Sequence, residues 1–130
     1  MKKIISVLFI ILLAFSFVGC SKYVSSYSAV MLISSQDSDS AKMSFSTFKG
    51  TRVYSLRCGD EDGELEYEAK LEEGEATVYI DQDGEKVELF KIGAGEKVSS
   101  SVDVHRGIVY IIIETTEKCK NGSFEFDIDD

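Results

Sequence analysis

The chain has 130 residues, of which 44% are hydrophobic and 28% charged, and its formal net charge is −9 at pH 7. This length suits one domain with a hydrophobic core of its own. The acidic balance excludes nucleic-acid binding through the phosphates, which needs a basic surface, and it favours cations or basic partners.

The first 20 residues have the order of parts that marks an export signal. A cationic head, Met1-Lys2-Lys3, precedes an apolar run at residues 4–18 that is interrupted only by two serines. A run of this length is short for a helix that spans a bilayer. The small residue Gly19 then precedes Cys20, as is usual before the cut in a secretory signal. The alternatives are an ordinary secreted protein and an uncleaved membrane helix.

Residues 17–20, Phe17-Val18-Gly19-Cys20, resemble the lipobox of bacterial lipoproteins, with Phe17 where Leu is usual. The resemblance implies that signal peptidase II recognises Phe17, Val18 and Gly19 and cuts before Cys20, which carries diacylglycerol. More than one acyl chain makes a stable anchor. The expected mature protein is extracytoplasmic, held by lipid at a cell membrane or outer membrane, with no other cofactor.

This interpretation divides the chain into three parts. Residues 1–19 form the removed signal peptide, predicted to be helical, residues 20–28 the lipidated Cys and a polar tether, and residues 29–130 the domain. Loss of Lys2 and Lys3 would take the net charge from −9 to −11. An acidic domain is repelled by anionic headgroups, so the lipid must hold it at the membrane.

A period of two predicts strands along the mature chain. Between Glu64 and Glu72, the apolar residues Leu65, Tyr67, Ala69 and Leu71 alternate with charged residues. On a helix these four would scatter, whereas on a strand they share one face. The same alternation, or an apolar run, predicts further strands at 29–34, 41–48, 51–58, 76–81, 86–92, 97–104, 108–113 and 123–128. It places Tyr54, Leu56 and Cys58 on one face of their strand, and Phe124, Phe126 and Ile128 on the face opposite Glu125 and Asp127.

The residues between these segments favour turns. Gly recurs from Gly50 to Gly122, and Asp83-Gly84 and Asn121-Gly122 are dipeptides typical of tight hairpins. Eight or nine short strands at regular spacing predict an all-β fold, an antiparallel two-sheet β-sandwich of jelly-roll type.

The mature part also resembles a loose group of small bacterial β-sandwich lipoproteins of unknown function. The residues that carry the resemblance are Phe48-Lys49-Gly50, Gly74, Asp83-Gly84, Gly107 with Tyr110, and Gly122-Ser123-Phe124. These are turn and core features, so the resemblance implies a fold and no activity.

Two runs, 29–33 and 108–113, are apolar on both strand faces. The preferred interpretation is a central strand whose outer face is partly covered by neighbours or by long polar side chains. The alternative is an exposed apolar patch that docks a partner or the membrane.

Cys58 and Cys119 remain once Cys20 is assigned to the lipid. An extracytoplasmic pair favours a disulfide, and two unbonded thiols are the alternative. A zinc site is disfavoured, because it normally needs four nitrogen or sulfur ligands.

Two acidic turns share the pattern Asp-x-Asp-Gly-Glu, at Asp60 and Asp62 and at Asp81 and Asp83. Their oxygens suit calcium, but the spacing excludes an EF-hand. Ordinary hairpin turns, in which Asp and Gly are favoured, are the preferred interpretation.

His105 is the single histidine and lies between two predicted strands, so a Ser-His-acid enzyme is disfavoured. Sugar binding would use exposed aromatics, for which Tyr23, Tyr27 and Tyr79 are the candidates. The sequence therefore predicts a lipid-anchored envelope protein with a non-catalytic interaction or structural role and an envelope protein or glycan as its partner. The alternative is a calcium- or carbohydrate-binding module.

Overall fold

The computed structural model describes residues 23–59, 61–82 and 84–129. These residues form nine strands and no helix, which confirms the predicted all-β fold. The strands are β1 (Ser26–Val30), β2 (Ile33–Gln36), β3 (Ser40–Cys58), β4 (Gly63–Glu73), β5 (Ala76–Asp81), β6 (Lys86–Ile92), β7 (Glu96–Val104), β8 (Gly107–Thr115) and β9 (Cys119–Asp129). No helix in this part of the chain can cross a membrane. The predicted signal-peptide helix, with Phe17, Val18, Gly19 and Cys20, lies outside the described residues.

The strands are arranged in five antiparallel rows, and each row is either one long strand or two strands placed end to end. β3 is the longest single strand, and β1 followed by β2 lines one of its edges. β8 followed by β9 lines its other edge. On the far side, β5 pairs with β8 and β4 pairs with β9. The outermost row consists of β6, which pairs with β5, and β7, which pairs with β4.

Four of these rows are interrupted near their middle and β3 bends at Gly50, so the sheet folds into two layers. The first layer has the order β2–β3–β9–β4–β7, and the second has the order β1–β3–β8–β5–β6. This order is that of a jelly roll, which confirms the predicted topology. Aromatic rings join the layers: the Phe90 ring on β6 is 5.0 Å from that of Tyr67 on β4 and 6.5 Å from that of Phe124 on β9.

Glycines with positive φ lie at two of the breaks. Gly50 (φ 126°) lies inside β3, where this strand passes from one layer to the other, and a Cβ there would be 2.7 Å from Cα of Tyr27. Gly74 (φ 101°) separates β4 from β5. The sequence predicted that Gly50 separates two strands, whereas β3 is one strand of 19 residues. A glycine can carry such a strand through a sharp change of direction without ending it.

Asn121-Gly122 was predicted as a hairpin turn, and this prediction is wrong. Both residues lie inside β9, with Asn121 in a left-handed conformation (φ 48°). Gly122 lies opposite Phe45 and Leu71, and a Cβ would come within 2.8 Å of both side chains. The glycine is therefore explained by close packing between strands.

The core between the layers consists of the alternating residues that the sequence identified. Three sets are buried as predicted: Leu65, Ala69 and Leu71; Tyr54, Leu56 and Cys58; and Phe124, Phe126 and Ile128. The alternation of β6 is irregular because the β5–β6 register shifts between Val78 and Tyr79. This bulge makes Phe90 and Ile92 buried while Val87 is 49% exposed.

The two apolar runs have different positions. Residues 108–113 form part of β8, a central strand on which Ile112 is 1% exposed although it faces outward, as the preferred interpretation predicted. Residues 29–33 are instead at a sheet edge, and Val30, Met31 and Ile33 are exposed. For this run the prediction of a central strand is wrong, because the apolar pattern does not reveal which strands have two neighbours.

The predicted tether also has structure within the described residues. Residues 26–28 belong to β1, and the backbone amide of Val53 donates to Oγ of Ser25. Tyr23 packs edge-on against Tyr110 of β8, with 5.5 Å between ring centroids. Residues 23–25 therefore lie against the second layer.

Candidate functional site

The outer face of the first layer carries an open groove of about 660 Å³ that crosses all five of its strands. Adjacent strands are about 4.8 Å apart, so five strands span roughly 19 Å. Its polar lining consists of the carboxylates of Asp37, Glu66, Glu68, Glu125 and Asp127, the hydroxyls of Ser35, Ser40, Ser99, Ser100 and Ser101, and the amine of Lys42. The groove therefore offers many hydrogen-bond acceptors and one cation.

The period of two positions these side chains. On β4 and β9 the apolar residues face the core, so the intervening Glu66, Glu68, Glu125 and Asp127 face outward and are exposed. A second groove of about 440 Å³ on the same face is lined by further residues of the same strands, including Lys70 and Lys97. The polar surface is thus elongated, and the two grooves share Lys42, Glu68 and Glu125.

Three consecutive pairs of opposed residues on this face consist of two acids each. In the β4–β9 ladder, Glu64 is opposite Asp129, Glu66 opposite Asp127, and Glu68 opposite Glu125. Like charges directly opposite each other destabilise a sheet. Lys42 compensates one pair in part, with its Nζ 3.6 Å from Oε2 of Glu125, but both side chains are at least half exposed. The face thus maintains an unfavourable charge arrangement.

The two acidic turns lie at the end of the fold where the β3–β4 and β5–β6 connections meet the β7–β8 turn. Asp62 accepts a hydrogen bond from the backbone amide of Arg106 (3.2 Å). Asp81 is 2% exposed, and its Oδ1 accepts from the amide of Gly84 (2.9 Å) while its Oδ2 accepts from the Tyr23 hydroxyl. These contacts give Asp81 a structural role in the turn.

The calcium hypothesis gains no support from this geometry. Asp60 and Asp83 lie outside the described residues. Among the residues the structure does describe, no three His, Cys, Asp or Glu side chains are grouped so that they could hold a metal ion.

His105 lies in the exposed turn between β7 and β8. Its backbone amide donates to Oε1 of Gln82 (2.8 Å), and its backbone carbonyl accepts a hydrogen bond from Nε2 of Gln82. The histidine therefore links two turns through its main chain.

Cys58 and Cys119 are not bonded to each other, so the favoured disulfide is contradicted. Cys58 ends β3, whereas Cys119 is opposite Phe48, ten residues earlier on the same strand. The straight part of β3 after the bend at Gly50 has eight residues up to Cys58, which span roughly 26 Å, far more than the ~6 Å between the Cα atoms of a disulfide. Both thiols are buried, and burial raises the pKa of the Cys119 thiol.

The three tyrosines proposed for sugar binding lie outside the groove. Tyr27 is 39% exposed, stacks on Phe48 and has the Arg52 guanidinium 5.5 Å from its ring centre. Lys86 Nζ lies 4.4 Å from the Tyr79 ring centre, and Tyr23 contacts Tyr110. All three rings thus already have intramolecular partners.

Lys86 also pairs with Glu114 across strands, with 2.7 Å between Nζ and Oε2. The hydrogen bond to Glu114 raises the pKa of Lys86. This pair lies on the second layer, away from the groove.

Comparison with protein-family models and with curated proteins finds no match. Among solved structures, the chain is similar to a CBM4 structure at 12% identity, covering 81% of this chain and 78% of the other, with a TM-score of 0.37. A mutant of a carbohydrate-binding module of family 29 has 17% identity, coverages of 80% and 78%, and a TM-score of 0.41. The Drosophila melanogaster CENP-C cupin domain has 15% identity, coverages of 76% each, and a TM-score of 0.34. The jelly-roll fold is defined by the strand order and register of this chain.

Proposed function

We propose that this chain is a lipid-anchored protein of the cell envelope whose jelly-roll domain binds a partner without catalysing a reaction. The anchor is proposed from the sequence of residues 1–20. The binding site we propose is the groove on the outer face of the first layer. The observation that carries it is the elongated polar surface maintained there despite two acid–acid pairs, Glu66 with Asp127 and Glu68 with Glu125.

The chemistry of the groove favours a polyhydroxylated ligand, a glycan of the envelope. Carboxylates accept hydrogen bonds from sugar hydroxyls, and hydrogen bonds to charged groups are stronger than those between neutral groups. The five carboxylates and one lysine disfavour an acidic glycan, so the ligand is neutral or carries amino groups. An elongated surface of this kind suits a polymer.

A glycan array probed with the full-length lipidated protein in detergent tests the ligand. We expect signals for neutral or amino-sugar glycans, which the double variant Glu66→Gln/Glu68→Gln reduces. The matched control is Glu88→Gln/Glu117→Gln, which makes the same charge change at exposed positions outside the groove. Absence of any glycan signal, or equal reduction by both double variants, would contradict the proposed ligand.

The anchor has its own test. Cys20→Ala should abolish lipidation, so the variant should leave the detergent phase on phase partitioning or retain the mass of the uncut precursor. A wild-type chain whose intact mass includes no lipid would refute the anchor, whatever the glycan array shows.

A further inference from the structure

The strands β1 and β2, which form one edge of the sheet, contain no charged residue of their own, and the guanidinium of Arg52 on β3 donates to Tyr27 and Ser34. Residues 23–36 contain no Asp, Glu, Lys, Arg or His, in a chain of which 28% of residues are charged. The opposite edge, β6 and β7, contains six charged residues: Lys86, Glu88, Lys91, Glu96, Lys97 and Asp103. Charged residues on an edge strand prevent unwanted association, so only one of the two edges is protected in this way.

Large apolar side chains project from the β1–β2 edge. Val24, Val30, Met31 and Ile33 are 75%, 54%, 75% and 72% exposed, and they account for four of the seven large hydrophobic residues exposed in the described part of the chain. Grouped exposure of this kind marks a contact surface rather than scattered surface residues.

Met31 occupies an unusual backbone conformation at the break between β1 and β2. Its φ is 53°, in the left-handed region that favours glycine, and it is one of two non-glycine residues with positive φ in the described ranges. A bulky residue in this region costs of order 1 kcal/mol or more. The chain therefore accepts strain at the point where a long apolar side chain is presented to solvent.

The β1–β2 edge begins close to the proposed lipid. Cys20 precedes Tyr23 by three residues, which span at most about 11 Å, and Tyr23 is fixed against Tyr110 and Asp81. The mature chain would have a net charge of −11, so an anionic bilayer repels most of its surface. The β1–β2 edge contains no acidic residue and is contacted by the cationic Arg52, so it can approach such a bilayer without this repulsion.

We propose that the β1–β2 edge is the surface that the domain lays against the phospholipid bilayer, with Val30, Met31 and Ile33 inserted among the headgroups. This inference rests on the proposed lipid anchor. Apolar side chains next to a lipid anchor add to its hold and fix the orientation of the domain. The bilayer is favoured over a second copy of the chain because the position of Cys20 brings this edge to the membrane.

Site-directed spin labelling of the full-length lipidated protein in phosphatidylcholine vesicles tests the proposal. The labels are attached to Met31→Cys and, separately, Ile33→Cys, with Val87→Cys on the opposite edge as the control. Val87 is also well exposed, at 49%, and the native thiols of Cys58 and Cys119 are buried. Collision rates with oxygen, which concentrates in lipid, and with a nickel chelate, which stays in water, are measured for each label.

We expect the labels at 31 and 33 to collide several-fold less often with nickel, and more often with oxygen, than the label at 87. Nickel collision rates equal to those at 87, in protein that floats with the vesicles, would overturn the docking surface and leave the anchor intact. Dipolar broadening between the labels of two chains would instead show edge pairing of copies and overturn it too. Failure to float would overturn the anchor, and the docking proposal with it.

Discussion

The hydroxyl of Tyr23 donates a hydrogen bond to Oδ2 of Asp81, a residue 58 positions later in the chain. Asp81 is the one polar or charged residue that is buried among the described residues, and its other oxygen accepts from the amide of Gly84. This hydrogen bond holds Tyr23 at the end of β5, close to the turn that leads into β6.

Tyr23→Phe should lower the free energy of unfolding by about 1–3 kcal/mol, because a buried carboxylate oxygen loses its donor. Urea denaturation of the full-length protein in detergent measures this change. Tyr79→Phe is the matched control, since the Tyr79 hydroxyl makes no hydrogen bond within the described residues and its ring contact with Lys86 is retained. Equal changes for both variants would show that the Tyr23–Asp81 bond contributes nothing specific.

The acid–acid pairs of the groove predict a gain in stability when charge is removed. Glu66→Gln/Glu68→Gln relieves two of the three repulsive pairs between β4 and β9. Since a directly opposed pair is worth about 0.2–1 kcal/mol, we expect the double variant to be more stable by roughly 0.4–2 kcal/mol. The control Glu88→Gln/Glu117→Gln should change stability less. Added salt should reduce the difference by screening, and a destabilised double variant would contradict the repulsion.

Gly74 should tolerate no side chain. Its φ is 101°, and a Cβ would lie 2.7 Å from Sγ and 2.8 Å from Cα of Cys119, so backbone strain and a clash combine. Gly74→Ala should therefore destabilise by about 3 kcal/mol or more. Gly95→Ala separates the two causes, because Gly95 also has positive φ (77°) but has open space around its Cα, and about 1 kcal/mol of strain is expected. Thermal or urea unfolding of the two variants checks the difference.

With Cys20 lipidated as proposed, the chain should contain two titratable thiols. Cys58 lies at the end of β3, whereas Cys119 on β9 is opposite Phe48, near the middle of β3. This distance is too large for a disulfide in the folded protein. A thiol assay in denaturant without reductant should count two thiols per chain, and in the folded protein Cys119 should react slowly, since it is buried and its pKa is raised. A count of zero would show a disulfide and a different arrangement of β3 and β9.

The raised pKa of Cys119 also predicts a dependence of stability on pH. In the unfolded chain the thiol ionises near its ordinary value of 9.0, whereas burial keeps it neutral to higher pH in the folded protein. The folded state therefore binds more protons in this range, and stability should fall as the pH rises above about 9. Cys119→Ala should reduce the loss of stability between pH 7 and pH 10, as measured by the urea midpoints of unfolding at these two pH values.

Most strands were predictable because alternation is a local property. Glu64–Glu72 was identified as a strand against its helical propensity, and β4 extends over Gly63–Glu73. The identities of the buried residues on β3, β4 and β9 followed from the same period of two. Glycines were less informative: Gly84 lies in a turn, but Gly50 and Gly122 lie inside strands because neighbours approach them closely.

The groove was not predictable because it depends on which strands are neighbours. Glu66 and Asp127 were recognised as outward-facing, but their opposition is set by the long-range pairing of β4 with β9. The apolar run at 29–33 was assigned to a central strand for the same reason, since hydrophobicity does not distinguish an edge from a centre. The distance between Cys58 and Cys119 likewise followed only from the register of β3 with β9.

β8 and β9 follow the other seven described strands in chain order, yet they lie at the centre of their layers, between β3 on one side and β5 and β4 on the other. Until the ribosome has released them, β3 and β4 have no common neighbour, so the growing chain cannot close its core. A jelly roll with this strand order can complete its core only after β8 and β9 have been synthesised. Loss of β9 alone would leave a gap between β3 and β4 in the first layer.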